Sequence, residues 1–397
     1  MNTDENLQTI VQILADYANA VEICPVITGQ MFSTHIDDTL DMLQQALVPG
    51  QGSQEPLQAA QIRALLGRLH FEQANLYDAR LQTEAAVLFM RRLNNEQQLA
   101  QWLGNLATIE FYDGNPDTAL IYVFEAALIA EALGLSRLHG YLLCTLGAIL
   151  CYLGQYEKAE ANFAQAQQIF IQQEDELGIA WQQFTRAREY ARDLGTHAQV
   201  IQQLELALPI LREKSAHPVI IEGWLALADS YIGMRNMKRA SELLQQVDDL
   251  SVKEKYYWCR AETYLVKAHL TAAENDYPQA SKYIYKALGL VGDKGDLRIL
   301  TVLYRTLASI LARDRNHDDD TRNALDRAIA TGRARARRLD IALALRQAGQ
   351  YHKQMANRPT IRARSAGFLF EADRMLNEMG IDASQPQGIF QSIGAGL

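Results

Sequence analysis

Small and apolar residues recur along this chain of 397 residues at intervals of forty or forty-one positions. Around Ala166, for example, Phe163 and Ala159 precede the alanine by three and seven residues, and Leu146 and Gly147 lie about twenty residues before it. Similar combinations of small and apolar residues surround eight regularly spaced anchor positions: Ala46, Ala86, Ala126, Ala166, Ala207, Val247, Ala287 and Ala328.

This period predicts an array of helical hairpins. Two helices approach closely only where small residues of one meet large residues of the other. Each hairpin leaves an apolar face that only the next hairpin covers, so the stacked array buries one continuous core. Gly or Asn followed by a new helix start, as in Asp113–Pro116 and Asn275–Pro278, predicts the joints.

The same residues resemble the tetratricopeptide (TPR) family, whose usual unit has about 34 residues. One match comprises Leu146, Gly147, Gly154, Tyr156, Ala159, Phe163 and Ala166, and another comprises Trp224, Leu227, Ala228, Tyr231, Ala240 and Leu244. The longer unit is similar to the forty-residue arrays of maltose-regulator-type bacterial signalling proteins. The resemblance implies an all-α, right-handed superhelical solenoid of about eight or nine TPR-like helical hairpins.

The period also suggests a domain organisation. We expect residues 1–48 to form an atypical, capping hairpin and residues 58–379 to form the TPR-like array. Residues 380–397 show no helical period and are expected to form a flexible or extended tail. Gly and Pro residues between 48 and 56 indicate a loop, because the period continues across them.

Composition points to a cytoplasmic protein. No apolar run approaches the roughly 20 residues of a membrane span, and the acidic N-terminus lacks the layout of a signal peptide. The four cysteines are scattered, which is typical of free thiols in a reducing compartment.

The sequence contains no recognised catalytic motif. We find no phosphate-binding loop, nucleophile elbow or zinc helix, and therefore expect no enzymatic activity, no metal and no cofactor. His317 and the three aspartates after it are better explained as a helix start than as a metal site. Cys144 and Cys151 share a helical face, where small packed residues are a better explanation than a thiol pair.

The TPR resemblance also implies a binding groove, because the first helix of each hairpin lines the concave wall in that family. We expect a protein or peptide partner there. Three charged residues on one helix, Arg186, Glu189 and Arg192, could bind a peptide carboxylate or could form an intrahelical ladder. The full set of groove candidates is Arg68, Asn105, Thr108, Tyr141, Thr145, Gln182, Arg186, Glu189, Arg192, Asp229, Glu262, Arg305 and Arg346.

Positive charge is concentrated near the C-terminus. Residues 298–364 contain fifteen Lys and Arg against six Asp and Glu, although the whole chain carries a net charge of −9. A basic patch of Arg333, Arg335, Arg337 and Arg338 could contact an acidic partner or nucleic acid, or could be a solvated helix face.

Three functional hypotheses follow. The first is a non-enzymatic scaffold or adaptor that binds a protein or peptide in the concave groove. The second is a regulatory sensor that binds a peptide or small ligand and controls a separate effector protein. The third is a nucleic-acid-associated component that uses the C-terminal basic patch.

Overall fold

The computed structural model describes residues 9, 12–14, 36–47, 56–73, 75–191, 196–214, 217–253, 259–294, 299–313, 317–335, 338–355 and 359–381. The long secondary-structure elements in these residues are all α-helices, and no strand occurs among the described residues. The helices are α1 (Ile36–Ala46), α2 (Pro56–Glu72), α3 (Leu76–Arg92), α4 (Glu96–Tyr112), α5 (Pro116–Ala132), α6 (Ser136–Tyr152), α7 (Tyr156–Gln172), α8 (Glu176–Ala191), α9 (His197–Lys214), α10 (His217–Gly233), α11 (Met237–Lys253), α12 (Arg260–Ala273), α13 (Tyr277–Lys294), α14 (Leu300–Leu311), α15 (Asp318–Arg335), α16 (Arg338–Gln354) and α17 (Pro359–Glu378).

The helices from α2 to α17 pair in sequence order into eight hairpins within the described part of the chain. We call the even-numbered member of each pair its first helix and the odd-numbered member its second helix. Consecutive hairpins stack, and the result is the all-α, right-handed superhelical solenoid that the TPR resemblance implies. The anchors from Ala86 to Ala328 are fully buried in the second helices, so the forty-residue period is a period of packing contacts.

The domain boundaries stay predictions. Helix α1 contacts α2, but most of the expected N-terminal hairpin lies outside the described residues. Of the expected tail, only Gly380 and Ile381 are described.

A short turn repeats at the helix joints. Residues 94, 114, 134, 154 and 174 all have positive φ, as do Arg235 and Asn275. The following residue donates its backbone N–H back to the last turn of the finished helix, as Asn115 does to the Glu110 carbonyl at 2.9 Å. This is the Schellman arrangement, which satisfies carbonyls that a helix end leaves unpaired.

Polar side chains cap several of the helices that follow these turns. The Asp175 side chain accepts from the Gly178 N–H at 3.0 Å, and the Asn95 side chain accepts from the Gln98 N–H at 3.2 Å. Asn236 and Asp276 make the same bond at α11 and α13. Each cap satisfies a donor that the first turn of a helix cannot pair internally.

Glycine allows the two helices of the third hairpin to approach closely. A Cβ atom on Gly147 of α6 would lie 2.7 Å from the ring of Phe163, which is fully buried on α7. Gly140 meets the ring of Phe170 in the same way. The small residues of the repeat therefore leave the space that aromatic side chains of the partner helix occupy.

The buried apolar residues form two clusters, and α12 contributes residues to both. One cluster extends from Leu14 to Leu270 and the other from Ala261 to Met379. The Tyr156 ring packs against both. Beside it, a Cβ atom on Gly154 would lie 2.5 Å from the Met379 sulfur and 3.5 Å from the Arg338 Cβ. The superhelix therefore returns far enough for its eighth hairpin to contact the turn of its third.

No described helix combines the length and apolar character needed to cross a bilayer.

Candidate functional site: the inner surface of the array

The first helices form the inner layer of the solenoid. They contact each other directly from one hairpin to the next, as α6 does with α8 and α10 with α12. Most of their residues are buried, and α4 leaves a half-buried stripe at Gln101, Asn105 and Thr108. Spacings of four and three place these residues on one helical face. Contact of this stripe with a partner stays a prediction.

The inner face of α6 is almost closed. From His139 to Tyr152, Thr145 is the one residue that is not buried. Its hydroxyl donates to the Tyr141 carbonyl at 3.3 Å, as a threonine commonly does inside a helix. Cys144 and Cys151 are both buried in the packing of this helix.

Arg188 of α8 connects first helices on both sides of α6. Its guanidinium donates to the Tyr112 hydroxyl at the end of α4, 3.0 Å away, and to the Glu222 carboxylate of α10. It also pairs with Glu189 at 3.0 Å. Because α4 and α8 belong to the second and fourth hairpins, these contacts span the third hairpin.

The charge of Arg188 is held by its neighbours. Burial lowers its pKa, but Tyr112, Glu222 and Glu189 outweigh that effect and raise the pKa well above the ordinary value. A guanidinium presents several donors in a fixed plane, so one side chain can serve three acceptors. Arg188, Tyr112, Glu189 and Glu222 therefore form a preformed polar cluster, which we call the Arg188 cluster.

Contacts at the ends of α2 and α4 connect the Arg188 cluster to the first hairpin. The Tyr112 ring lies edge-on against Phe71, with centroids 5.3 Å apart. Arg68 stacks over Phe71 at 5.6 Å and pairs with Glu72 at 2.9 Å. Burial raises the pKa of Glu72, and the neighbouring Arg68 partly offsets that effect.

A second polar chain runs through the hairpins nearer the C-terminus. His269 of α12 lies 2.7 Å from Asp229 of α10 through Nδ1 and 3.3 Å from Thr306 of α14 through Nε2. The carboxylate, imidazole and hydroxyl follow the order of a hydrolase triad. All three are almost completely buried, with exposed fractions of 1–2%. This chain therefore joins three first helices and offers no substrate access.

The groove candidates fall into two groups by exposure. Tyr141, Gln182, Asp229 and Arg305 are buried, and each belongs to the packing between helices. The Tyr141 ring packs on Phe170 and Trp181, and Arg305 pairs with buried Asp340 at 3.4 Å. The half-buried candidates are Arg68, Asn105, Thr108, Thr145, Arg186, Glu189, Glu262 and Arg346. Whether any of them binds a partner stays a prediction.

Two of the three charged candidates on α8 are described, and each has an ion-pair partner. Arg186 pairs with Glu160 of α7 at 2.9 Å, whereas Glu189 pairs with Arg188. Arg192 lies outside the described residues. The residue that organises this region is Arg188, which the sequence analysis did not select. It directly follows Ala187, the small packing residue of its helix, in the same place that Arg68 follows Gly67.

Two arginines of the basic patch are paired with carboxylates. Arg333 donates to both oxygens of Glu371 at 2.9 and 3.0 Å, and Arg338 pairs with Glu378. Arg337 and the side chain of Arg335 lie outside the described residues. The described part of the patch is therefore locally neutralised.

The described residues contain no group of three or more His, Cys, Asp or Glu side chains that could hold a metal ion. His317 and the aspartates after it begin α15, where His317 and Asp320 lie 3.3 Å apart.

Searches by sequence gave no match to a family model or to a curated protein. Solved structures do match. A Rap conjugation gene regulator of plasmid pLS20, solved with the Phr* peptide, is 14% identical with a TM-score of 0.54, over 83% of this chain and 96% of that one. A Rap protein complexed with competence and sporulation factor is 13% identical with a TM-score of 0.51, over 88% and 99% of the two chains. The apo form of RapI is 16% identical with a TM-score of 0.51, over 69% and 97%. At these identities the likeness is one of fold, and the fold is a TPR-like repeat array.

Proposed function

We propose that this protein is a non-enzymatic interaction scaffold that binds a peptide, or an extended segment of a protein, along its inner surface. The observation that carries the proposal is the Arg188 cluster, which ties together first helices of three hairpins. A partner that lies along the array would meet side chains already held in place, so binding would order few groups.

The half-buried stripe of α4 gives such a partner its first contacts. Asn105 can both donate and accept hydrogen bonds, and Thr108 adds a hydroxyl one turn further along. An extended peptide backbone needs both kinds of partner. The Arg188 cluster adjoins this stripe because Tyr112 ends the same helix.

The structural comparisons support the proposal without carrying it. Two of the similar structures were solved with a bound factor or peptide, namely the competence and sporulation factor and the Phr* peptide. Those ligands belong to those proteins. They support a peptide as the kind of partner proposed for this array.

A selection experiment tests the proposal. A random peptide library is selected on the full chain, and the enriched peptide is then used as a fluorescent probe of binding. We expect Asn105→Arg and Thr108→Arg to weaken its binding at least tenfold, because both fill the inner stripe.

Gln165→Arg is the matched control, since Gln165 is exposed on the outer helix α7. It should leave the affinity unchanged. All three variants should keep the helical signal and melting midpoint of the unmodified chain. Failure to enrich any peptide, or equal loss of binding in the α7 variant, would contradict the proposal.

A further inference from the structure

A separate apolar surface lies on the outside of the first two hairpins. On the second helices α3 and α5, six large apolar side chains are between 49% and 74% exposed. We call them the outer patch: Tyr77, Leu81, Leu88, Ile121, Phe124 and Leu128. Exposed apolar residues scattered singly need no explanation, but a contiguous set marks an interaction site.

The members of the outer patch lie side by side. Ile121, Phe124 and Leu128 follow a spacing of three and four residues, so they form one stripe along α5. Leu81 and Leu88 occupy the equivalent positions of Ile121 and Leu128 one repeat earlier. Between the two helices, Arg91 of α3 donates to both carboxylate oxygens of Glu125 of α5 at 2.7 Å. The two stripes therefore lie on neighbouring outer helices that this ion pair joins.

The sequence of α5 is unusual for an outer helix. Its seventeen residues, PDTALIYVFEAALIAEA, include three acidic residues and no Lys or Arg, and large apolar side chains lie on its exposed face as well as on its buried face. An outer helix ordinarily turns a polar face to water, so the exposed Ile121, Phe124 and Leu128 point to burial against a partner. In α7, the equivalents of Ile121, Phe124 and Leu128 are Ala161, Ala164 and Gln168, so the patch stops at the next hairpin.

The charges around the patch select the type of partner. Glu84, Asp117 and Glu131 are exposed on these two helices, and Glu84 lies between Leu81 and Leu88 on the same stripe. Of the three basic residues on α3, Arg80 pairs with Glu110 and Asp113, Arg91 pairs with Glu125, and Arg92 is exposed at the end of the helix. A second copy of this chain would bring the same three carboxylates against these, which like-charge repulsion disfavours.

We propose that the outer patch binds a partner protein through an amphipathic helix whose apolar stripe is flanked by Lys or Arg. The apolar stripe of the partner packs against the outer patch, and its basic flanks approach Glu84, Asp117 and Glu131. A helix laid into a groove of two neighbouring helices is an established mode of recognition. This surface faces away from the inner surface, so both can be occupied at once.

Two synthetic peptides test the proposal on the full chain. One has about 18 residues, with leucines at helical spacing and lysine at all other positions, and the second replaces every lysine by glutamate. We expect the leucine–lysine peptide to bind at least tenfold more tightly than the leucine–glutamate peptide. Phe124→Ser with Ile121→Ser should abolish that binding, and Glu84→Lys with Asp117→Lys should reverse the preference.

Leu206→Ser is the matched control, because Leu206 is an exposed apolar residue of the outer helix α9. This helix lies two hairpins after α5. The substitution should leave peptide binding unchanged, as should Asn105→Arg on the inner surface. Equal binding of the two peptides, or no binding, would overturn the proposal. So would a concentration-dependent dimer in sedimentation that Phe124→Ser dissolves, because a second copy would then occupy the patch.

Discussion

Gly154, in the turn between α6 and α7, is covered by Met379 at the end of the last hairpin. A Cβ atom on Gly154 would lie 2.5 Å from the Met379 sulfur and 2.9 Å from its Cγ. Their separation in sequence exceeds five repeats, so no local motif creates this contact. It results from the rotation that each hairpin adds to the superhelix.

We therefore predict that Gly154→Ala lowers the free energy of unfolding more than a simple turn substitution does. Gly154 has a φ of +75°, where an L side chain costs about 1–2 kcal/mol. The new methyl group must also displace Met379, which we expect to add about 1 kcal/mol. Urea denaturation at constant pH measures both effects together.

Gly134 supplies the comparison. It occupies the equivalent kind of turn with a φ of +68°, and a Cβ atom there would meet no atom within 4 Å. Gly134→Ala should show the backbone cost alone. In a Met379→Ala background, the loss of unfolding free energy caused by Gly154→Ala should fall to the loss caused by Gly134→Ala. If the extra loss persisted, Met379 would not be the cause of it.

A second prediction concerns the Arg188 cluster. Arg188→Ala leaves Glu189 and Glu222 near each other in a largely buried site, and we expect a loss of about 2–4 kcal/mol in stability. Adding Glu222→Gln should recover part of that loss. Chemical denaturation of the four proteins in the resulting cycle gives the coupling energy.

Arg186→Ala is the control for Arg188→Ala, because it lies on the same helix and pairs with the half-exposed Glu160. A pair of this kind contributes about 0–1 kcal/mol. If the two alanine variants lose equal stability, the Arg188 cluster is not the structural centre that its contacts indicate.

Much of the fold could be predicted from sequence because packing repeats locally. Ala166 and Phe163 recur in phase with their equivalents, and the two helices of each hairpin are adjacent in sequence. Glycine joints such as Gly114 were also recognisable. Asn94, Glu174 and Arg235 adopt the same left-handed conformation without glycine, so those joints carried a weaker signal.

The inner surface was harder to predict than the fold. Arg186 and Arg188 are two residues apart, and the direction of each side chain depends on how α8 is rotated against its neighbours. That rotation brings Arg188 to Tyr112 of a distant helix and turns Arg186 towards α7. The burial of Tyr141 and Asp229 likewise depends on how closely successive first helices approach.

Our third prediction concerns the buried pair of Asp229 and His269. His269→Leu removes the imidazole and leaves the Asp229 carboxylate buried beside an apolar side chain, and we expect a loss of about 3 kcal/mol. Asp229→Asn combined with His269→Leu should be more stable than His269→Leu alone, because no buried carboxylate then lacks its hydrogen-bond donor. Thermal and urea unfolding should rank the variants in the same order, and equal stability of the single and double variants would contradict this explanation.

The last prediction is a loss of stability in mild acid. Burial lowers the pKa of four histidines, His70, His139, His197 and His352, below the ordinary value of 6.5. Each then binds fewer protons in the folded chain than in the unfolded chain between its folded pKa and 6.5. The free energy of unfolding therefore rises with pH through that window and falls on acidification.

The raised pKa of Glu72 acts in the opposite sense, because the folded chain then binds the extra proton. Four histidines against one carboxyl should leave a net fall in the urea midpoint from pH 7.5 to about pH 5.5. His197→Gln should reduce the slope of the midpoint against pH, since its ring is buried against Gly233. A midpoint that stays constant or rises on acidification would show that the buried histidines do not control stability in this range.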